Sequence, residues 1–247
     1  MTPQKNRIWE LDALRGICIL GMMVVHFVFD LNEFAGLGLT MPGCFNFCQR
    51  YGHILFILIS GICATLASRS FRRGVIVFCA GLLVTGVTLF MVCVLKFNRS
   101  LSIFFGILHL LGICMMLFPL FKKLPVWALA VLGAGFVALG VWLAALEPVA
   151  VSFPSAQGLL LGAIGIRPAG FYSGDYFPIF PNLGWFLLGV VLGRTVYAEK
   201  RTLLPGSAQD FFLLRFFCWC GRQSLFIYLL HQPIVYGLLE LVLLLRG

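Results

Sequence analysis

The sequence predicts an all-α protein, a polytopic bundle of about seven transmembrane helices with a cytoplasmic N-terminus. Of its 247 residues, 61% are hydrophobic and only 11% are charged, whereas a soluble domain usually has about 25% charged residues. Runs of 18 or more mostly apolar residues recur along the whole chain, and such runs are long enough to cross a bilayer as helices. We therefore expect residues 1–247 to form a single transmembrane domain.

The net charge of +9 could suggest a nucleic-acid-binding protein, but the distribution of basic residues indicates membrane topology instead. With the N-terminus inside, thirteen of the 18 Lys and Arg residues fall on cytoplasmic segments, as the positive-inside rule describes. No nucleic-acid partner is predicted. The predicted spans are 13–31, 52–71, 74–95, 102–121, 125–145, 179–197 and 222–245. The basic residues on the outer side are Arg50, Lys96, Arg99, Arg167 and Arg246.

The first span has the most informative pattern of polar residues. At about 100° per residue, Asp12, Arg15, His26, Asp30 and Glu33 all fall within an arc of about 60°. Arg15 and His26 are then about 16 Å apart along the helix axis. Ionisable residues inside a membrane usually face a bundle interior or a water-filled cavity. This helix is therefore predicted to line a polar site.

His26 and Asp30 are the predicted catalytic residues. Asp30 follows His26 at i+4, where its carboxylate can accept one ring N–H and leave the other nitrogen as a base. Imidazole is the usual general base near neutral pH. The alternative is a core histidine hydrogen-bonded to a backbone carbonyl. Arg15 either extends to the inner headgroups or binds an anion at the cytoplasmic mouth.

Further polar residues lie in or beside the other predicted spans. Tyr228 and His231 share one face of the last span, just before Pro233, which should kink that helix. Asp175 and Tyr176 lie in an outer loop before the sixth span, where a turn is the alternative to a binding role. Each histidine could also be a structural contact between helices. The residues predicted to bind substrate are His53, Ser60, His109, Asp175, Tyr176, Tyr228, His231 and Gln232.

The loops and cysteines carry weaker signals. Residues 32–50 are predicted to form the first outer loop, in which a disulfide between Cys44 and Cys48 is conceivable. No cysteine pair has convincing metal-site spacing, so no metal is predicted. The outer segment 147–178 includes an apolar patch, GLLLGAIGI, that is too short to cross the membrane. The amphipathic stretch FFLLRFFCWCGR is expected at the inner interface.

Five sequence blocks resemble bacterial membrane proteins related to the catalytic domain of heparan-alpha-glucosaminide N-acetyltransferase. The spacing of Arg15 and His26 is also similar to that of the larger class of integral-membrane acyltransferases. This resemblance implies that Arg15 and His26 lie at an acyl-CoA reaction centre in the bacterial inner membrane. The chain differs from the heparan enzyme in its short length and in the absence of a lumenal domain, which leaves the acceptor open. The blocks are RIWELDALRGICILGMMVVHFVFDL, ILFILISGICATLASRSFRRG, FGILHLLGI, GDYFPIFPNLGWFLLGVVLGR and GRQSLFIYLLHQPIVYGLL.

The resemblance implies transfer of an acetyl group from cytoplasmic acetyl-CoA to an amine or hydroxyl of a sugar-like acceptor. Arg15, Arg72 and Arg222 are the predicted ligands of the CoA phosphates. His26 would act either as a base or as a transient acetyl carrier. The alternative function is a proton-coupled transporter of a small solute that uses the same histidines and Asp30. Whether the chain forms a homodimer is left open.

Overall fold

The described part of the chain is mostly helical, as predicted. A computed structural model describes residues 8–35, 40–204 and 211–246, without the side chains at 29–30, 33–35, 100 and 236–246. Helices account for 73% of the structure. The helices of the described residues are α1 (Trp9–Ala35), α2 (Gly43–Leu66), α3 (Ser70–Cys93), α4 (Ile107–Phe121), α5 (Val126–Ala144), α6 (Ala156–Ile164), α7 (Ile179–Thr195), α8 (Phe212–Arg222) and α9 (Ser224–Arg246), with a 3-10 turn at Arg99–Leu101 and strands β1 (Val149–Ser152) and β2 (Pro168–Ala169).

Four of these helices, α1, α2, α3 and α5, are long and apolar enough to cross a membrane. Helices α4 and α7 and the described part of α9 are shorter apolar helices. All seven overlap predicted spans, and the prediction of a helical membrane protein is confirmed. The number of crossings and the cytoplasmic N-terminus stay predictions.

The loop predicted at 32–50 is shorter than expected. Helix α1 continues to Ala35, and α2 already begins at Gly43. The carbonyl of Pro42 accepts the backbone N–H groups of Phe45 and Asn46 at 3.0 and 3.2 Å, so Pro42 stands at the start of the helix, where a missing N–H does no harm. Cys44 and Cys48 are therefore on α2, and both are exposed free thiols.

Helix α4 begins at Ile107, whereas the predicted span begins at 102. The preceding residues are extended because they pair with the loop before α7. Gly174 donates its backbone N–H to the carbonyl of Ser102 at 2.8 Å, and Phe177 donates to the carbonyl of Phe105 at 3.0 Å. The apolarity of this stretch could not reveal a pairing with residues so distant in the sequence.

The outer segment between α5 and α7 contains secondary structure of its own. Strands β1 and β2 pair in parallel, and α6 lies between them. With nine residues, α6 is about 13 Å long, well short of the roughly 30 Å hydrocarbon core of a bilayer. The apolar patch is thus a short helix that cannot span, as predicted.

The described helices divide into two compact units. One contains residues 1–59 and 199–247, and the other contains 60–198. The prediction of a single domain stays a prediction.

Glycines mediate the packing within the 60–198 unit. A Cβ atom on Gly74 would meet the Gly112 carbonyl and Met116, and a Cβ on Gly184 would meet Gly133. Small residues allow transmembrane helices to approach closely. In this way α3 packs against α4, and α5 packs against α7. The last turns of α2 pack against α7 through Gly61 and Gly193.

Candidate functional site

Helix α1 has a lipid-type face and a polar face. The apolar side chains of Leu14, Ile17, Val24 and Phe27 are exposed on one side, as expected for residues that contact lipid. On the other side Asp12 is only 8% exposed. Arg15 and His26 are half-buried. The three described members of the predicted ionisable arc, Asp12, Arg15 and His26, are therefore turned away from the exposed apolar side of α1.

A pair of glycines holds α8 against the first turns of α1. A Cβ on Gly16 would collide with the Phe217 carbonyl, and a Cβ on Gly221 would collide with the Asp12 carbonyl. The thiol of Cys218 also donates to the Trp9 carbonyl at 3.5 Å. Only residues without side chains permit this approach of two backbones. The amphipathic stretch thus packs one of its faces on α1, while Phe212, Phe216 and Trp219 are exposed on another.

Two arginines flank this glycine contact, one on α1 and one on α8. Arg15 directly precedes Gly16, and Arg222 directly follows Gly221. Arg15 is half-buried and Arg222 is exposed. Two guanidinium groups on neighbouring helices offer several N–H donors to an anion such as phosphate. The third predicted phosphate ligand, Arg72, is exposed on the first turn of α3 in the other unit.

Deeper along α1, His26 meets His231 of α9. The two imidazole rings are edge to face, with centroids 5.3 Å apart and an interplanar angle of 78°. His231 is 5% exposed. Its Nδ1 lies 2.6 Å from the carbonyl oxygen of Tyr228. Because a carbonyl can only accept, Nδ1 must carry the hydrogen, and Nε2 of the neutral ring then has the lone pair.

Two further polar groups of the predicted set are buried. The amide oxygen of Gln232 and the hydroxyl of Ser60 have no hydrogen-bond partner among the described residues. Gln232 follows His231 on α9, and Ser60 lies on α2, in the 60–198 unit. A buried polar atom without a partner costs stability unless a ligand or water satisfies it. Both residues therefore remain candidates for contact with a bound molecule.

The structure says less about two other predicted residues. Asp30 belongs to the backbone of α1, but its side chain lies outside the described residues, so its pairing with His26 stays a prediction. His53 is half-buried on α2, in the same unit as His26.

His109 lies in a different environment, inside the 60–198 unit. It is 2% exposed and both ring nitrogens have partners. The backbone N–H of Gly106 donates to Nδ1 at 3.3 Å, so Nε2 carries the hydrogen. Nε2 is 3.3 Å from the Thr85 hydroxyl, which donates its own hydrogen to the Ile103 carbonyl at 2.7 Å. The imidazole therefore joins α3 to the start of α4 and has no ring nitrogen to offer a substrate.

Asp175 and Tyr176 fasten the outer loop to its surroundings. A carboxylate oxygen of Asp175 accepts the Ile107 backbone N–H at 3.0 Å, which satisfies an N–H group at the start of α4. The Tyr176 hydroxyl donates to the Gly162 carbonyl at 2.7 Å. Burial raises the pKa of Tyr176 to about 12, although the Arg167 charge opposes this shift.

Sequence analysis did not identify Glu10 and Asn182, two buried polar residues. Glu10 is 7% exposed and accepts the Thr202 hydroxyl and the Leu203 backbone N–H, each at 2.7 Å. It thereby ties the start of α1 to the segment before α8. Asn182, 3% exposed on α7, donates to the Pro178 carbonyl at 2.8 Å. A single acidic residue ahead of a span and a lone Asn carry no recognisable pattern.

No group of three His, Cys, Asp or Glu residues is arranged to hold a metal ion within the described part of the chain. Besides the carboxylates Glu10 and Asp12, the polar groups described along α1, α8 and α9 include arginines, histidines and an amide. Such groups suit anion binding and proton transfer.

Comparison with known proteins identifies the family. A sequence model described as "Heparan-alpha-glucosaminide N-acetyltransferase, catalytic" matches residues 7–233. No curated protein and no solved structure matches the chain. The matched region covers nearly the whole sequence and includes α1, α8 and the part of α9 that carries His231. The family implies a membrane acetyltransferase-type domain. The chain thus belongs to the family of the heparan-alpha-glucosaminide N-acetyltransferase catalytic domain.

Proposed function

We propose that this protein transfers an acetyl group from cytoplasmic acetyl-CoA to an amine or hydroxyl of a sugar-like acceptor, in the bacterial inner membrane. The observation that carries this proposal is the contact of His26 with His231 on the polar face of α1. It brings two imidazoles from opposite ends of the chain into one site. The family assignment supports the type of reaction. The positions and chemistry of individual side chains support the roles proposed for them below.

Arg15 and Arg222 would bind the phosphates of CoA. Both flank the glycine contact between α1 and α8, so their side chains start from closely spaced backbones. Arginine pairs with phosphate through charge-assisted, often bidentate hydrogen bonds. Binding of a neutral small solute would not require these arginine N–H groups. Their presence therefore favours a phosphate-bearing substrate such as acetyl-CoA over the transporter alternative.

His26 would act as the general base. It takes the proton from the acceptor amine or hydroxyl as that atom bonds to the thioester carbonyl carbon. The carbon–sulfur bond then breaks, and the departing CoA thiolate recovers the proton from the imidazolium. The His231 ring, whose Nδ1–H is held by the Tyr228 carbonyl, would hold the His26 ring in place through their edge-to-face contact. Asp30 would accept the N–H of one His26 ring nitrogen, as the i+4 spacing predicts, which leaves the other nitrogen free as the base.

The acceptor would be held by polar side chains of the unit that contains His26 and His231. The Gln232 amide oxygen is buried without a partner among the described residues, and it can accept a hydrogen bond from an acceptor hydroxyl or amine. His53 and Tyr228 are further candidates. We assign structural roles to His109, Asp175 and Tyr176, because each makes hydrogen bonds that hold α3, α4 or α6 in place.

The deciding experiment measures acetyl-CoA binding and slow acetyl-CoA hydrolysis by purified protein in detergent. We expect His26→Ala to bind acetyl-CoA like the wild type and to lose turnover by about 10²- to 10⁴-fold. Arg15→Gln should instead weaken binding, and more so at high ionic strength. A suitable control is Arg201→Gln, because Arg201 only pairs with Glu199 at the surface. Failure of well-folded wild-type protein to bind CoA saturably would contradict the proposal and favour transport.

A further inference from the structure

An open surface cavity of about 430 Å³ lies at the end of α3, in the 60–198 unit. Both cations of the α3–α4 connection line it, and no acidic residue does. The lining residues are Val92, Cys93, Lys96, Phe97 and Arg99.

The cavity lies where the lipid-type surface of α3 ends. Exposed apolar side chains follow one face of that helix at helical spacing, and the last ones, Phe90 and Val94, border the lining residues. Ile76, Leu83 and Val87 continue the same face. Lys96 and Arg99 follow the end of the predicted span 74–95, so we expect them at the depth where lipid headgroups begin. Both cations are exposed.

The backbone around the two cations is fixed. Lys96 adopts a left-handed conformation with φ 61°, which is uncommon for a residue other than Gly, Asn or Asp. The turn is closed by the Phe97 N–H, which donates to the Met91 carbonyl at 3.2 Å. The Ile103 N–H then donates to the Thr88 hydroxyl at 3.2 Å. A left-handed residue closed by such a bond is a common way for a helix to end, and here it sets the position of the Lys96 backbone at the end of α3.

We propose that Lys96 and Arg99 bind the phosphate of an anionic lipid headgroup whose acyl chains lie along the apolar stripe of α3. Basic pockets at the ends of transmembrane helices recognise such headgroups through charge, and Arg and Lys both donate charge-assisted hydrogen bonds to phosphate oxygens. The adjoining lipid-facing stripe distinguishes a lipid phosphate from a soluble one. On the predicted topology Lys96 and Arg99 lie on the outer side, so the lipid belongs to the outer leaflet. The positive-inside rule explains basic residues on the cytoplasmic side and does not account for two clustered cations on the outer side.

The test compares the retention of phosphatidylglycerol with that of phosphatidylcholine of the same acyl chains, by native mass spectrometry of delipidated protein. Wild type should prefer phosphatidylglycerol by about tenfold or more, and Lys96→Gln/Arg99→Gln should lose this preference. Arg99→Gln alone should show an intermediate preference. The matched control is Lys122→Gln/Lys123→Gln, which removes two exposed cations at the end of α4, outside the cavity lining.

Three results would overturn the proposal. One is an unchanged lipid preference in the double variant. Another is an equal loss of preference in the control variant, which would indicate a general charge effect. The last is complete displacement of phosphatidylglycerol by excess inorganic phosphate, which would identify a site for soluble anions. Since acetyl transfer is measured separately, failure here leaves the acetyltransferase proposal unaffected.

Discussion

The imidazole rings of His26 and His231 meet edge to face with their centroids 5.3 Å apart, although they come from opposite ends of the chain. Helices α1, α8 and α9 bring them together. Gly16 and Gly221 set the approach of α1 and α8 near the start of α1, and α9 follows α8 after one residue. Gly16 shares α1 with His26, and Gly221 lies on α8 just before the helix of His231, so we infer that the packing of α1 on α8 helps to position both histidines.

If His26 and His231 work as a unit, the losses of acetyl-transfer rate caused by removing each of them should be non-additive. We expect His26→Ala to lower acetyl transfer by about 10²- to 10⁴-fold, and the double variant with His231→Ala to be no slower than His26→Ala alone. His231→Ala by itself should give a smaller loss, mainly in kcat. The measurement is steady-state kinetics of all four proteins. Multiplicative losses would show that the two residues act independently.

The glycine pair predicts a stability effect with a control in the same helix. Gly16→Ala should lower the free energy of unfolding by about 1–3 kcal/mol, because the new methyl group collides with the Phe217 carbonyl. Gly21→Ala is the control, since nothing lies within 4 Å of a Cβ at Gly21. It should be neutral or stabilise by up to about 1 kcal/mol. The measurement is the free energy of unfolding in detergent. Equal effects of Gly16→Ala and Gly21→Ala would contradict the packing of α8 on α1.

His109 should prove structural when its partner is removed. Thr85→Val leaves the Nε2–H of His109 without its acceptor, at an expected cost of about 1–3 kcal/mol. Acetyl-CoA binding by the folded fraction should not change. Thr195→Val is a matched control, because the Thr195 hydroxyl bonds only the Val191 carbonyl of its own helix. Normal stability with lost activity in Thr85→Val would instead place His109 in the active site.

The raised pKa of Tyr176 predicts that the stability of the protein depends on pH in the alkaline range. Burial raises the pKa of Tyr176 from its ordinary value of about 10 to about 12, so the folded protein holds the phenolic proton more tightly than the unfolded chain. This stabilisation is complete below pH 10 and is lost as the pH rises towards 12. Tyr176→Phe should remove that part of the alkaline decline in thermal stability. Tyr51→Phe, at an exposed tyrosine on α2, should keep the wild-type profile.

The polar face of α1 shows how far sequence reasoning extends. Its helical spacing predicted that Asp12, Arg15 and His26 share a side, and the structure buries Asp12 and half-buries the other two, opposite exposed Leu14 and Phe27. Periodicity is a property of a single helix and needs no partner. His109 illustrates the opposite case. Its bonds to Gly106 and Thr85 come from a neighbouring turn and a neighbouring helix, which a histidine inside an apolar run does not reveal.

The sequence by itself determined that this is a helical membrane protein, where its apolar helices lie and which face of α1 carries the ionisable groups. These properties follow from local composition and from the 3.6-residue period of the helix. Only the tertiary structure decided that His26 faces His231, that α4 starts late because 102–106 pairs with 173–177, and that Asp175 binds the start of α4. Such contacts join residues far apart in the chain, and their geometry depends on how closely glycine-bearing helices can pack.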